Sequence, residues 1–167
     1  MPRGSGARSS GRRRDVHERA LGLLAVRQRS RAELERRLLG AGFGAEEVAA
    51  ELERLERVGL IDDLAFARAL AEHAVRSRGE SGRAVRRRLA AAGVGRATAD
   101  QVVSDLAGDD EGDRALELAS SRTGRLRGLT PETAFSRLCG FLIRRGYAPD
   151  IARGAARRAL ALEDVEA

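Results

Sequence analysis

The sequence predicts an all-α fold built from three tandem copies of a three-helix unit. Three observations predict it: a glycine-ended helical pattern that returns three times, cap residues at the starts of the intervening segments, and no stretch that alternates like a strand. Leu34, Leu38, Gly42 and Phe43 are matched by Val85, Leu89, Gly93 and Val94, and again by Leu138, Leu142, Gly146 and Tyr147. The three glycines lie 51 and 53 residues apart. Beyond each of them, apolar or small residues return at the same offsets: Val48, Leu52 and Leu55, then Ala99, Val103 and Leu106, then Ala152, Ala156 and Ala159. Upstream, RALGLLAVR from Arg19 and RALAEHAVR from Arg68 are close copies, and RALELASSR from Arg114 is a more distant third.

Each repeat resolves into helices by its caps. Asp15 with Glu18 resembles a capping box and opens a helix whose Val16, Ala20, Leu23 and Leu24 share one face. Ser30 with Glu33 opens the second, which carries Leu34, Leu38 and Ala41 inward and stops at Gly42. The third spans Ala45 to Arg57, and Gly59 ends it. In the second repeat Asp62 or Asp63 caps a helix carrying Phe66, Leu70 and Ala74, and Ser81 caps the next, which ends at Gly93. In the third, Thr130 and Pro131 form a cap and first-turn pair, and Pro149 starts the last helix. The expected division is a disordered basic tail over residues 1–14 and repeats over 15–61, 62–108 and 109–167. A unit of about fifty residues buries little core alone, so neighbours must stack. An elongated, curved body is expected, which suits binding a large partner better than enclosing a small substrate.

Charge is informative once it is located. All 31 basic residues are Arg, and five of them, Arg3, Arg8, Arg12, Arg13 and Arg14, stand in the first 14 residues without an acid. That segment reads either as an arm that touches nucleic acid phosphates or as a solubilising leader. The rest is nearly neutral but segregated. Residues 76–96 carry Arg76, Arg78, Arg83, Arg86, Arg87, Arg88 and Arg96 against Glu80. Residues 97–117 reverse this, with Asp100, Asp105, Asp109, Asp110, Glu111, Asp113 and Glu117 against Arg114. Residues 118–145 return to Arg122, Arg125, Arg127, Arg137, Arg144 and Arg145 against Glu132. If the fold brings the two basic blocks onto one face, that face attracts an anionic partner and releases it as salt rises. The alternative is a solvated surface laced with its own salt bridges.

No catalytic centre is expected. His17 and His73 are isolated from Cys or carboxylate clusters at metal-ligand spacing, and Cys139, the single cysteine, sits on an apolar helical face as a small core residue. Gly40, Gly42 and Gly44 follow a helix instead of a strand and no Lys succeeds them, so they terminate a helix and do not cradle a phosphate. Asp62 and Asp63 are explained as caps, and neither a metal nor a cofactor is called for. The five aromatics, Phe43, Phe66, Phe135, Phe141 and Tyr147, fall mostly on core positions, which argues against base stacking. No apolar stretch is long enough to span a membrane and no hydrophobic leader follows the basic N-terminus, so a cytoplasmic, monomeric protein is expected.

Three segments together resemble the RecX regulators of the recombinase RecA: ALGLLAVRQRSRAELERRL over residues 20–38, GLIDDLAFARALAEHAVRSR with GRAVRRRLAAAGV over 59–78 and 82–94, and RLCGFLIRRGY over 137–147. The resemblance covers most of residues 16–160 and excludes the basic tail. It implies a non-enzymatic protein of three-helix repeats that lodges in the groove of the RecA nucleoprotein filament and restrains its ATPase, strand-exchange and co-protease activities in DNA repair and the SOS response. Few aromatics in the third repeat and Arg where relatives carry Lys set this sequence apart. The residues expected to meet the filament or DNA phosphates are Arg76, Arg78, Arg83, Arg86, Arg87, Arg88, Arg122, Arg125, Arg127, Arg144 and Arg145. Arg83, Arg86 and Arg87 lead, because their i, i+3, i+4 spacing puts them on one face away from Val85 and Leu89. The alternative is a DNA-binding regulator whose short helices imitate a helix-turn-helix.

Overall fold

The structure, a computed structural model, describes residues 15–107 and 111–162. The basic segment 1–14 and the acids Asp109 and Asp110 lie outside the described residues. Among those described, the chain forms nine α-helices, one 3-10 turn and no strand. The helices come in threes: α1 (Val16–Val26), α2 (Arg31–Gly40) and α3 (Ala45–Arg57); α4 (Asp63–Arg78), α5 (Gly82–Ala91) and α6 (Arg96–Ala107); α7 (Glu111–Thr123), α8 (Pro131–Arg144) and α9 (Pro149–Ala159). The 3-10 turn, Gly124–Leu126, extends α7 and was not foreseen.

Local chemistry sets the ends. Ser30, Ser81 and Thr130 each accept the backbone N–H three residues on, at 3.1, 3.3 and 3.4 Å, which satisfies one of the donors a helix start leaves open. The Asp15 carboxylate caps α1 differently from a capping box, accepting from His17 N at 3.5 Å. The middle helix of every triplet ends alike. Gly42, Gly93 and Gly146 have φ of 92°, 82° and 93°, and the next residue's N–H returns to the carbonyl five back: Phe43 to Leu38, Val94 to Leu89, Tyr147 to Leu142. This is the Schellman stop, which also brings the two apolar side chains of each pair together. Hence the repeat conserves a Leu, a Gly and an apolar residue at fixed offsets within this one chain.

Each triplet has its own apolar cluster. Val16, Ala20, Leu34, Leu38, Val48, Leu52 and Leu55 fill the first; Val85, Leu89 and Val102 with Ala67, Ala71 and Ala74 fill the second; Leu138, Leu142 and Tyr147 with Ala115, Ala119, Ala152 and Ala156 fill the third. Burying each Leu or Val contributes about 1.5–3 kcal/mol. The alanines on α4, α7 and α9 let helices approach closely, where larger side chains would hold them apart.

Contacts nevertheless divide the chain into two compact units, with the boundary between Asp62 and Asp63. The first unit, α1 to α3, carries a partly buried ionic cluster. Arg29, 7% exposed, donates to Leu23 O at 3.0 Å and to Glu33, and Glu33 accepts also from Arg27 at 2.6 Å and Arg37 at 2.9 Å. Burial alone would raise the Glu33 pKa, but the bonds from Arg37, Arg27 and Arg29 together hold it below its ordinary 4.5. A carboxylate whose folded pKa is depressed stabilises the fold above its unfolded pKa and loses that contribution as pH falls through the folded value. Glu33→Gln should therefore cost about 2 kcal/mol at neutral pH, because it leaves Arg29 buried without its counter-charge. It should also flatten the acid-side fall in stability below pH 4.5. Denaturant melts across pH 2–7 check both.

The second unit, α4 to α9, joins the second and third triplets through one turn. The α4–α5 turn sits against the α8–α9 turn: Ser81 N donates to Arg145 O at 3.0 Å, and Arg145 Nε donates to Arg78 O at 2.9 Å. Glu111, at the start of α7, accepts from Gly82 N at 3.0 Å, so a carboxylate faces the N-terminus of α5. The approach is close. A Cβ at Gly79 would lie 2.9 Å from a Leu118 methyl, and one at Gly146 would lie 2.7 Å from both Ala84 Cβ and Ser81 Oγ.

Candidate functional site

This docking decides where the arginines go. A groove of about 530 Å³ opens between the C-terminal end of α4, the outer face of α7 and the α8–α9 turn. Arg76, Arg78, Arg114, Arg122 and Arg145 line it, with Glu117 as its one carboxylate, and Val75, Leu118 and Tyr147 supply an apolar wall. The two basic sequence blocks thus meet around one space.

Two cations of the groove, Arg122 and Arg145, are held without a carboxylate partner among the described residues. The Arg122 and Arg145 guanidinium carbons lie 4.4 and 3.8 Å from the centroid of the Phe141 ring, a cation–π arrangement that fixes both side chains. Phe141 itself is buried. Burial, then repulsion from Arg122 and Arg144, lowers the Arg145 pKa, with Tyr147 and Glu80 pulling the other way. Tyr147 is pushed up by burial, partly offset by Arg114, which also hydrogen-bonds it, so the phenol stays neutral. Among the described residues, Arg76, Arg114, Arg122 and Arg145 form no ion pair with a carboxylate, whereas Arg78 lies 3.9 Å from Glu80. Glu80 is mainly committed to Arg88, which it binds through both oxygens and whose pKa it raises.

The other expected residues stand elsewhere in the second unit. Arg83 and Arg87 are exposed on α5. Arg86 is exposed too but is held by Asp100 at 2.8 Å, with Arg96 on the same carboxylate at 3.6 Å. Arg86, Arg87 and Arg96 border a shallow hollow of about 430 Å³. Arg125 and Arg137, with Phe141, line a smaller hollow of about 150 Å³ that shares Arg122 with the main groove. Arg127 and Arg144 are exposed. Some of the arginines thus line an open groove and others are tied into surface salt bridges.

Arg114 was missed as a site residue because it stands in an acidic block; its place in the third RALELASSR copy was the available signal. His17 is less isolated than its sequence suggests, since its Nδ1 lies 2.7 Å from Oε1 of Glu51, a buried carboxylate on α3. No group of three or more His, Cys, Asp or Glu among the described residues could hold a metal. Cys139 is half-buried with Sγ 3.9 Å from Ala152 O. Burial raises its pKa, against the pull of Arg153 and Arg157, which disfavours the nucleophilic thiolate. No described helix is long and apolar enough to cross a membrane.

Family models for the first and second three-helix domains of RecX match residues 17–55 and 62–103. The chain is 35% identical to the regulatory protein RecX of Amycolatopsis mediterranei over 78% of its own length and 74% of that protein's. With the RecX of Streptomyces coelicolor it shares 36% identity over 84% and 74% of the two chains. The chain belongs to the RecX family. A crystal structure of RecX from Lactobacillus salivarius, 16% identical, superposes with a TM-score of 0.75 over 88% of this chain and 96% of that one, which shows the common fold. The matches to the RecX domain models end at residue 103, so α7 and α8, which supply Arg114, Arg122 and the Phe141 platform, lie beyond them.

Proposed function

We propose that this chain is a non-enzymatic regulator of the RecA recombinase, acting in the cytoplasm on the RecA nucleoprotein filament. Membership of the RecX family carries the reading. On it, the protein lodges on the filament and restrains ATP hydrolysis, strand exchange and co-protease action, in DNA repair and the SOS response. It does so by occupying surface, with no chemistry of its own.

The arrangement of charge supports this. Exposed Arg83 and Arg87 on α5, Arg144 at the end of α8 and the groove around Arg145 give the second unit cations able to meet carboxylates or phosphates through planar, five-donor heads. Such a surface gains on-rate and orientation more than raw affinity. It would hold the protein on a charged, periodic assembly and weaken with salt. The expected interface is Arg83, Arg86 and Arg87 with Arg144 and Arg145.

The test is to add purified protein to RecA assembled on single-stranded DNA and follow ATP hydrolysis. A dose-dependent fall in the rate is expected, diminishing as salt is raised. Unchanged hydrolysis at saturating protein would sink the reading, and sequence-specific duplex binding in the absence of RecA would favour a DNA-binding regulator in its place.

A further inference from the structure

The groove between α4, α7 and the α8–α9 turn has a ligand chemistry of its own. Five arginines line a space of about 530 Å³, with Glu117 as the one acidic residue among its lining. That volume lies within the range of small-molecule sites, about 300–1,000 Å³. Elsewhere the protein commonly couples its exposed arginines to acids within the chain: Arg31 to Glu56, Arg68 to Asp105, Arg86 and Arg96 to Asp100, Arg158 to Asp113. In the groove only Arg78 is so coupled among the described residues, at 3.9 Å from Glu80. Arg122 and Arg145 are instead steadied by the Phe141 ring, and Arg145 is further fixed by its bond to Arg78 O. Two cations are thus pre-oriented side by side with no counter-ion from the described chain, and Arg76 and Arg114 stand beside them.

We propose that this groove is a phosphate-binding site that takes a run of closely spaced phosphate groups. The phosphates come either from a free nucleoside polyphosphate or from the backbone of a single nucleic acid strand, and the chemistry they share is what the groove recognises. An acidic peptide fits less well. Successive side chains of an extended peptide point to opposite sides, so its carboxylates do not form one continuous run of closely spaced anions. Linked phosphates present oxyanions all round, and each accepts the bidentate fork that Arg offers. With Phe141 and Tyr147 buried, no exposed ring is available to stack a base, so recognition would rest on phosphate and not on base identity. The hollow lined by Arg122, Arg125 and Arg137 continues the cationic surface past Phe141, which gives a longer strand somewhere to run. The inference does not depend on RecA as partner, because it concerns the free protein.

The experiment uses the full chain without RecA. Binding of inorganic tripolyphosphate and of ATP is measured by calorimetry, and binding of a fluorescein-labelled oligothymidylate by anisotropy. A glutamate-rich peptide of equal charge is measured alongside. Tight binding of tripolyphosphate and ATP, with competition against the strand, identifies a free polyphosphate as the source. Binding of the strand alone identifies the nucleic acid backbone. In either case Arg76→Glu should weaken binding about tenfold or more, and for the strand it should lower the slope of log affinity against log salt by about 0.7. Arg76 is exposed and unpaired among the described residues, so this variant should keep its melting temperature. Arg36→Glu, an exposed site in the first unit with the same charge change, should leave affinity nearly unaltered. Absence of binding to all phosphate probes, peptide binding as tight as phosphate binding, or an equal loss in Arg36→Glu would each overturn the site. Loss of RecA inhibition plays no part in this outcome, so the two readings fail separately.

Discussion

Simultaneous charge reversal of Arg83, Arg86 and Arg87 should weaken restraint of RecA by about a hundredfold in effective concentration while leaving the fold intact. Arg83 and Arg87 are exposed, and Arg86 exchanges a surface pair with Asp100 for a solvent-screened like-charge contact, a change of about 1–2 kcal/mol at most. Val85 and Leu89, buried on the opposite face of α5, are untouched. Structural cost is therefore small. The interface cost is not: replacing three attractions by three like-charge contacts costs roughly 3 kcal/mol in total even when each contact is well solvated. ATP hydrolysis by RecA on single-stranded DNA, titrated with the variant, reads the shift directly. An unchanged inhibition curve would move the interface off α5, whatever becomes of the groove.

The helices and their ends were legible in the sequence because their causes are local. A Ser or Thr before an apolar run, and a glycine at the end of one, act within a turn or two of the chain, so Ser30, Ser81, Thr130 and the three Schellman glycines could be read one by one. The threefold repeat followed from the same residues. What was not legible is which turn docks on which. Ser81 and Arg145 meet across 64 residues, and nothing periodic announces it. Yet a signal exists. Between the Arg that ends each first-helix copy and the Ser cap that follows, the second repeat has two residues more than the first, and they include Gly79 and Glu80. Gly79 has φ of 61° and accepts Leu118 against its bare Cα, and Glu80 gathers Arg88 and Arg78. The groove's composition was half legible for the same reason. The basic blocks were visible as blocks, but Arg114 was hidden among acids until α7 placed it beside Tyr147.

Gly146 offers the sharpest test of that docking, because two independent costs fall on one atom. At φ of 93°, a side chain is strained wherever it points, at roughly 1–2 kcal/mol. Gly42 carries the same strain at φ of 92° but has open space where a Cβ would go, so Gly42→Ala should cost only that amount. At Gly146 the added methyl would also sit 2.7 Å from Ala84 Cβ and from Ser81 Oγ. These belong to the first turn of α5 and its cap, whose backbone is pinned by Ser81 N–H to Arg145 O, so neither can simply swing away. Overpacking of this kind adds about 1–3 kcal/mol. Gly146→Ala should therefore destabilise the second unit by about 3–4 kcal/mol, roughly twice the effect at Gly42, in urea melts followed by circular dichroism. The double variant with Ala84→Gly separates the causes. It removes one of the two clashing atoms, so its cost should fall short of the sum of the single costs by about 1 kcal/mol despite the helix propensity lost at position 84. Strict additivity would mean that the α8–α9 turn does not press on α5 as closely as these distances require. The contact that brings Arg145 to Arg78 would then need another support.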